Sequence, residues 1–224
     1  MAHGYQFGGE EEYAVANLLD KYTLSPSDRL FAPIYDLLII LASIANAASV
    51  MVGGTTHTIQ RPAMRINSHR TQTAYALPLG GPLQLALRET IPERIEIGIV
   101  PFTETDLPNA KIKTRGLDQI VHHVISPIFL MFFERYNDWL TRTHGDCINW
   151  PATLNFCRVV RNAIAHGKIN IRNPGSPAVT WRGLSYDYKS NGRTIIGGDL
   201  RIGDILGLMF EANEDLNNIS APVL

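Results

Sequence analysis

The sequence predicts a mainly α fold, a helical bundle carrying an irregular insertion and a small β-hairpin. Three observations predict it. Apolar residues recur at helical spacing before and after the middle of the chain; the period is lost from Thr55 to Lys113; and strand-like patterning near the C-terminus is confined to short runs between 178 and 196. With 224 residues and 45% hydrophobic content the chain can bury a substantial core, and its length fits one elaborated domain over 1–224.

The elements follow in order. From Glu10 to Tyr22, Val15, Leu18, Leu19 and Tyr22 repeat at helical spacing behind the acidic run Glu10 to Glu12, which suits the positive end of a first helix. Ser25-Pro26-Ser27-Asp28 has the form of an N-cap with proline at the first helical position. The helix it starts should run to about Met51, where Gly53-Gly54 stops it. Within it Leu37 to Val52 is almost wholly apolar. It is shorter than the ~20 residues a spanning helix needs, and Asn46 interrupts it, so it reads as a buried core helix and not a membrane span.

Between residues 55 and 113, Pro62, Pro78, Gly80, Gly81, Pro82, Pro92, Pro101 and Pro108 mark an irregular insertion. It holds a short helix at Leu83 to Thr90 and a short strand at Ile95 to Ile99. Leu117 to Ile125 is amphipathic, and Ser126-Pro127 either kinks that helix or starts a second piece through Phe129, Phe132, Phe133, Tyr136 and Leu140. Asn149-Trp150-Pro151 is placed to cap the next helix and Gly167 to end it. Ala178 to Trp181 and Arg193 to Ile196 then pair as a hairpin around Ser190-Asn191-Gly192, and a last helix spans Ile202 to Asn217.

Composition narrows the function classes. A formal net charge of −1 argues against coating nucleic acid by bulk charge but leaves room for a local basic site. Cys147 and Cys157 make neither a disulfide framework nor a CxxC metal pair, which points to reduced thiols in the cytoplasm. Met1 to Glu12 lacks the basic start and apolar middle of a signal peptide, so export is not expected.

The chemistry-bearing residues gather on Cys157-Arg158-Val159-Val160-Arg161-Asn162-Ala163-Ile164-Ala165-His166-Gly167. At about 100° per residue, Asn155, Arg158, Arg161, Asn162 and His166 fall within an arc of roughly 140°, opposite Phe156, Cys157, Val160, Ala163 and Ile164. One face packs, and the other presents two guanidiniums, two amides and an imidazole.

Arg161 and His166 are separated by four residues, with Asn162 directly after the arginine and Gly167 directly after the histidine. This Arg-x4-His element in a helical setting resembles the signature of HEPN domains. In that family the motif lies on a bundle helix, two protomers commonly bring their motifs into a shared cleft, and many members are metal-independent ribonucleases. The resemblance covers about ten residues. It implies a HEPN-like bundle, a homodimer, no cofactor, and catalytic roles for Arg161, His166 and Asn162. The insertion and the hairpin lie outside the minimal bundle.

The chemistry also stands on the residues alone. Cleavage of RNA by its own 2′-hydroxyl needs proton transfer and stabilisation of charge on the phosphorane oxygens. A histidine suits the first, as general acid or base, and an arginine the second, with its fork of donors matched to phosphate. One chain offers one such histidine, whereas a twofold dimer offers an acid and a base. The free carbonyls at a helix C-terminus attract positive charge, which helps His166 to grip phosphate, although the same placement also serves an ordinary helix end.

From Cys157 to Arg201 the basic residues Arg158, Arg161, Lys168, Arg172, Arg182, Lys189, Arg193 and Arg201 face only Asp187 and Asp199. A surface of this kind can track a phosphate backbone, with Arg158, Lys168 and Arg172 as candidate RNA contacts. Trp181, Tyr186 and Tyr188 are candidates for stacking on unpaired bases, or for packing the hairpin. The expectation is a metal-independent endoribonuclease of the toxin or defence-effector kind, with RNA as substrate and an antitoxin or other regulatory protein as partner. The alternative is a non-catalytic module that binds RNA, a nucleotide or a protein. Asp118 and His122 have i, i+4 spacing, but no second acid-histidine element completes a metal site.

Overall fold

The structure, a computed structural model, describes residues 6–7, 18–51, 63–102 and 115–224. The chain divides into two compact units, Met1–Ser68 with Gln72–Leu117 and His69–Thr71 with Asp118–Leu224.

The first unit corrects the expected fold class. With about 49% helix and 18% strand among the described residues, the fold is mixed α/β, not a mainly α bundle. Most of the strand lies where an irregular insertion was expected. Strands β3 (Ala63–Ser68), β4 (Thr73–Pro78) and β5 (Arg94–Pro101) form an antiparallel sheet, joined by β2 (Asp20–Leu24) and by the short β1 (Gln6–Phe7). The register fixes the edges of β5. Ile99 pairs with both Asp20 and Tyr75, so β2 and β4 lie on opposite edges, and Ile95 pairs with both Leu24 and Phe7, so β1 lies opposite β2. Tyr22 is therefore a strand residue and not the end of a first helix, whose start at residues 10–17 lies outside the described residues.

Burial on both faces explains why β4 was illegible as a strand. Ala74, Tyr75, Ala76 and Leu77 are all buried, so the run shows no alternation of polarity. In β5 the one buried charge, Glu96, is matched by two cations: its Oε2 lies 3.1 Å from Lys21 Nζ and its Oε1 3.1 Å from Arg94 Nε. Ser25-Pro26-Ser27-Asp28 forms a closed turn instead of capping a helix, with Asp28 Oδ2 accepting from the Ser25 amide at 2.6 Å and its hydroxyl at 2.8 Å. The helix α1 begins later, at Phe31, and ends at Met51. Its buried positions Phe31, Ile34, Leu37, Leu38 and Leu41 form one stripe at helical spacing. Each such side chain contributes about 1.5–3 kcal/mol when fully buried. The short helix α2 (Pro82–Leu87) packs against α1, and Tyr35 Oη donates to the Thr90 carbonyl at 3.2 Å. Among the described residues, no helix is long and apolar enough to cross a membrane.

The second unit is built on α3 (Arg115–His144) from Asp118 onward, α4 (Ala152–His166) and α5 (Ile202–Asn218). Helix α3 is one helix with Pro127 inside it, where two collinear or bent helical pieces were expected. Helix α4 follows a 3₁₀ turn at Cys147–Asn149. Pro151 stands at its N-cap without a side-chain cap, and Gly167 ends it at φ 75°, a left-handed conformation that glycine adopts without a Cβ clash. The hairpin exists, but its second strand is not Arg193 to Ile196. Strand β6 (Val179–Trp181) pairs with β7 (Leu184–Tyr186) around Arg182 and Gly183, whose φ values of 44° and 78° suit a tight two-residue turn. Phe156 of α4 seats the hairpin, its ring centroid 5.7 Å from Trp181 and 5.3 Å from Tyr186. Glu211 of α5 accepts from Trp181 Nε1 at 2.8 Å and from Arg182 Nε at 2.9 Å.

A further carboxylate joins α4 to α5. Asp215 accepts a hydrogen bond from Thr153, yet its pKa is raised, first by partial burial and also by Glu211 nearby. A carboxyl whose folded pKa is raised costs stability when ionised, and that cost fades as pH falls through the folded value to the ordinary value of 3.8. Asp215→Asn is thus expected to raise Tm at pH 7 by about 1–2 °C, with the gain vanishing below the carboxyl range. Paired thermal melts at pH 7 and pH 3.5 check it, and a gain that persists in acid speaks against the assignment.

Candidate functional site

Of the expected packing face of α4, Phe156, Cys157, Val160 and Ala163 are buried and Ile164 is half-buried; Leu154 and Val159 join them in the core. Burial pushes the Cys157 thiol well above its usual pKa, reinforced by Asp215 and Glu211, so it is a packed side chain and not a nucleophile. The polar face divides into two parts, since Arg161 and His166 mark the opposite edges of the roughly 140° arc.

Arg161 is held at one edge. Its Nε and Nη2 both donate to Glu134 Oε1 on α3, and its Nη1 donates to Asn162 Oδ1 at 2.8 Å. Sequence reading missed Glu134, because an acid 27 residues upstream carries no local signal of its partner. The pair stays accessible, with 29% of the Arg161 side chain and 44% of Glu134 exposed, so the guanidinium can still be approached from solvent. Asn162 fixes the orientation of Arg161. Arg158, one turn earlier, donates from Nε to Asn155 Oδ1 at 3.1 Å.

His166 stands at the other edge, on the last residue of α4. Its side chain is exposed and makes no hydrogen bond or ion pair with a described residue, as is also true of the side chains of Lys168 and Arg172 just beyond it. His166, Lys168 and Arg172 are therefore exposed at and just after the C-terminal end of α4, while Arg161, Asn162 and Arg158 lie on its flank. The remaining basic residues of the segment are largely engaged. Arg182 pairs with Glu211 at 2.8 Å, Arg193 grips both oxygens of Asp199 at 2.8 and 2.7 Å, and Arg201 Nη1 lies 2.6 Å from His69 Nε2. Counting charge within Cys157 to Arg201 overstated the free cations, because Glu211 and Glu134 lie outside that window.

Of the aromatic candidates, Trp181 and Tyr186 are buried around Phe156 and unavailable for stacking, and Tyr188 is 44% exposed. Tyr186 also donates to Asp199 Oδ2 at 3.0 Å, a carboxylate that bonds Arg193. Among the described residues, no group of three or more His, Cys, Asp or Glu side chains is placed to hold a metal ion. Comparison with family models, with curated proteins and with solved structures gives no match.

Proposed function

We propose that this protein is a HEPN-like, metal-independent endoribonuclease whose cleavage site is assembled from α4 of two protomers. The observation that carries the reading is the free, exposed His166 at the C-terminal end of α4, beside exposed Lys168 and Arg172 and on the same helix as an ordered Arg161. Phosphate docked at this end meets cations that no described acid neutralises. His166 moves the proton, taking it from the attacking 2′-hydroxyl or giving it to the departing 5′-oxygen. Arg161, oriented by Asn162, faces the charge that develops on the phosphorane.

A single protomer does not complete this chemistry. Its arginine and its histidine point roughly 140° apart around the helix axis, and one imidazole cannot act as acid and base in the same step. Two α4 helices related by a twofold axis supply the second histidine and set the arginine of one protomer against the histidine of the other. Incubating the full chain with single-stranded RNA in excess EDTA tests the reading. Fragments ending in 2′,3′-cyclic phosphate are the expected product, and intact RNA, or cleavage that needs added metal, contradicts it.

One observation favours a second reading, a non-catalytic module that binds RNA. Glu134 takes up much of the charge of Arg161, which weakens that residue as a phosphate clamp. This reading expects saturable binding of RNA with no cleavage under any condition.

A further inference from the structure

The segment after α4 is fastened to the stretch that follows the hairpin. The Ile169 amide donates to the Arg193 carbonyl at 2.9 Å, and the Gly192 amide donates to the Ile169 carbonyl at 3.0 Å. Asn191 clamps Ile171 from both sides: its Oδ1 accepts from the Ile171 amide at 2.6 Å and its Nδ2 donates to the Ile171 carbonyl at 2.9 Å. Between Lys168 and Arg172 burial alternates, with Ile169 and Ile171 inside and Lys168, Asn170 and Arg172 outside.

Tyr188 opens a 3₁₀ turn, Tyr188–Ser190, whose Asn191 amide donates back to the Tyr188 carbonyl at 3.3 Å. The turn is capped by Asp187, which accepts from the Ser190 amide and hydroxyl, both at 3.2 Å. These bonds hold Tyr188 and Lys189 beside the Lys168–Arg172 segment. Lys168, Arg172 and Lys189 are exposed and form no ion pair with a described residue. The nearby acids are occupied, Asp187 in the cap and Asp199 with Arg193 and Tyr186. Tyr188 is the aromatic ring of this surface left 44% exposed, since Trp181 and Tyr186 are buried.

We infer that Tyr188, with Lys168, Arg172 and Lys189, is a platform for single-stranded RNA, on which an unpaired base stacks against the tyrosine while the lysines and the arginine follow the backbone. A rigid aromatic on a hydrogen-bonded turn, flanked by cations without acid partners, fits an unstacked nucleotide; in a duplex the base faces are already covered. The platform adjoins the His166 end of α4, so it selects which phosphates reach the proposed cleavage site. It rests on the reading of that end as an RNA site.

The test measures binding of a short fluorescent single-stranded RNA to the full chain carrying His166→Ala, so that cleavage does not enter. Adding Tyr188→Ala is expected to weaken binding about tenfold without changing its salt dependence, and Tyr188→Phe to restore it. An abasic strand of the same length should not distinguish the tyrosine from the alanine. Lys168→Ala and Arg172→Ala should each lower the slope of log affinity against log salt by about 0.7. Equal binding by the tyrosine and alanine forms, or equal binding of duplex and single strand, overturns the platform. If RNA binds with this tyrosine dependence but the chain with His166 intact never cleaves, the ribonuclease reading falls and the platform stands. If cleavage proceeds with unchanged KM in Tyr188→Ala, the platform falls and the ribonuclease stands.

Discussion

Replacing His166 with alanine is expected to slow RNA cleavage by about a hundred- to ten-thousandfold while leaving the fold intact. The side chain is exposed and contacts no described residue through a hydrogen bond or ion pair. Gly167 supplies the helix end, and alanine is the better helix former, so stability should stay within about 0.5 kcal/mol of the parent. The loss of rate is then a loss of proton transfer and not of folded protein. Arg161→Ala is harder to interpret, because it also breaks the pair with Glu134. A partly exposed pair of this kind is worth at most about 1 kcal/mol, so a melt separates the two effects. His166→Ala activity within tenfold of the parent, measured from initial rates on a labelled strand, removes His166 from the chemistry.

Phe156→Ala is expected to destabilise the chain by about 3–5 kcal/mol, the largest stability effect of any single change considered for this protein. Phe156 is fully buried, and its ring lies against both Trp181 of β6 and Tyr186 of β7. Truncation leaves a cavity between the helix that carries the site and the hairpin packed on it, and the surrounding rings can close it only in part. Against a total stability of roughly 5–15 kcal/mol, that loss is about a fifth of the total or more. Urea denaturation followed by tryptophan fluorescence measures it. A shift below 1 kcal/mol means that the hairpin does not depend on Phe156 for its seat.

How far the sequence could be read depends on the distance over which each element is specified. Helices α4 and α5 were legible because their information is local: a 3.6-residue apolar period, a glycine at the end of α4, and no competing partner. The sheet was not, because β4 is buried on both faces and shows no alternation, and because prolines close β4 and β5 at Pro78 and Pro101, where they read as loop punctuation. Tyr22 and Leu24 sit in a strand because β5 offers a paired edge 71 or more residues away, and no local periodicity reports that edge. Ser190-Asn191-Gly192 has the composition of a hairpin turn, yet Asn191 is used to clamp Ile171, and the turn falls at Arg182-Gly183. The candidate site was legible in its residues and not in its electrostatics, since the partner of Arg161 lies on another helix.

On the proposed function, each cleavage event needs His166 from both protomers. The most direct measurement mixes the parent chain with His166→Ala, allows subunits to exchange, and follows RNA cleavage in EDTA against the fraction of parent chain. A site that needs both histidines gives activity falling as the square of that fraction, with about one quarter left at an equal mixture. Activity that falls in simple proportion, leaving about one half, or a parent chain that cleaves no RNA at all, would contradict it.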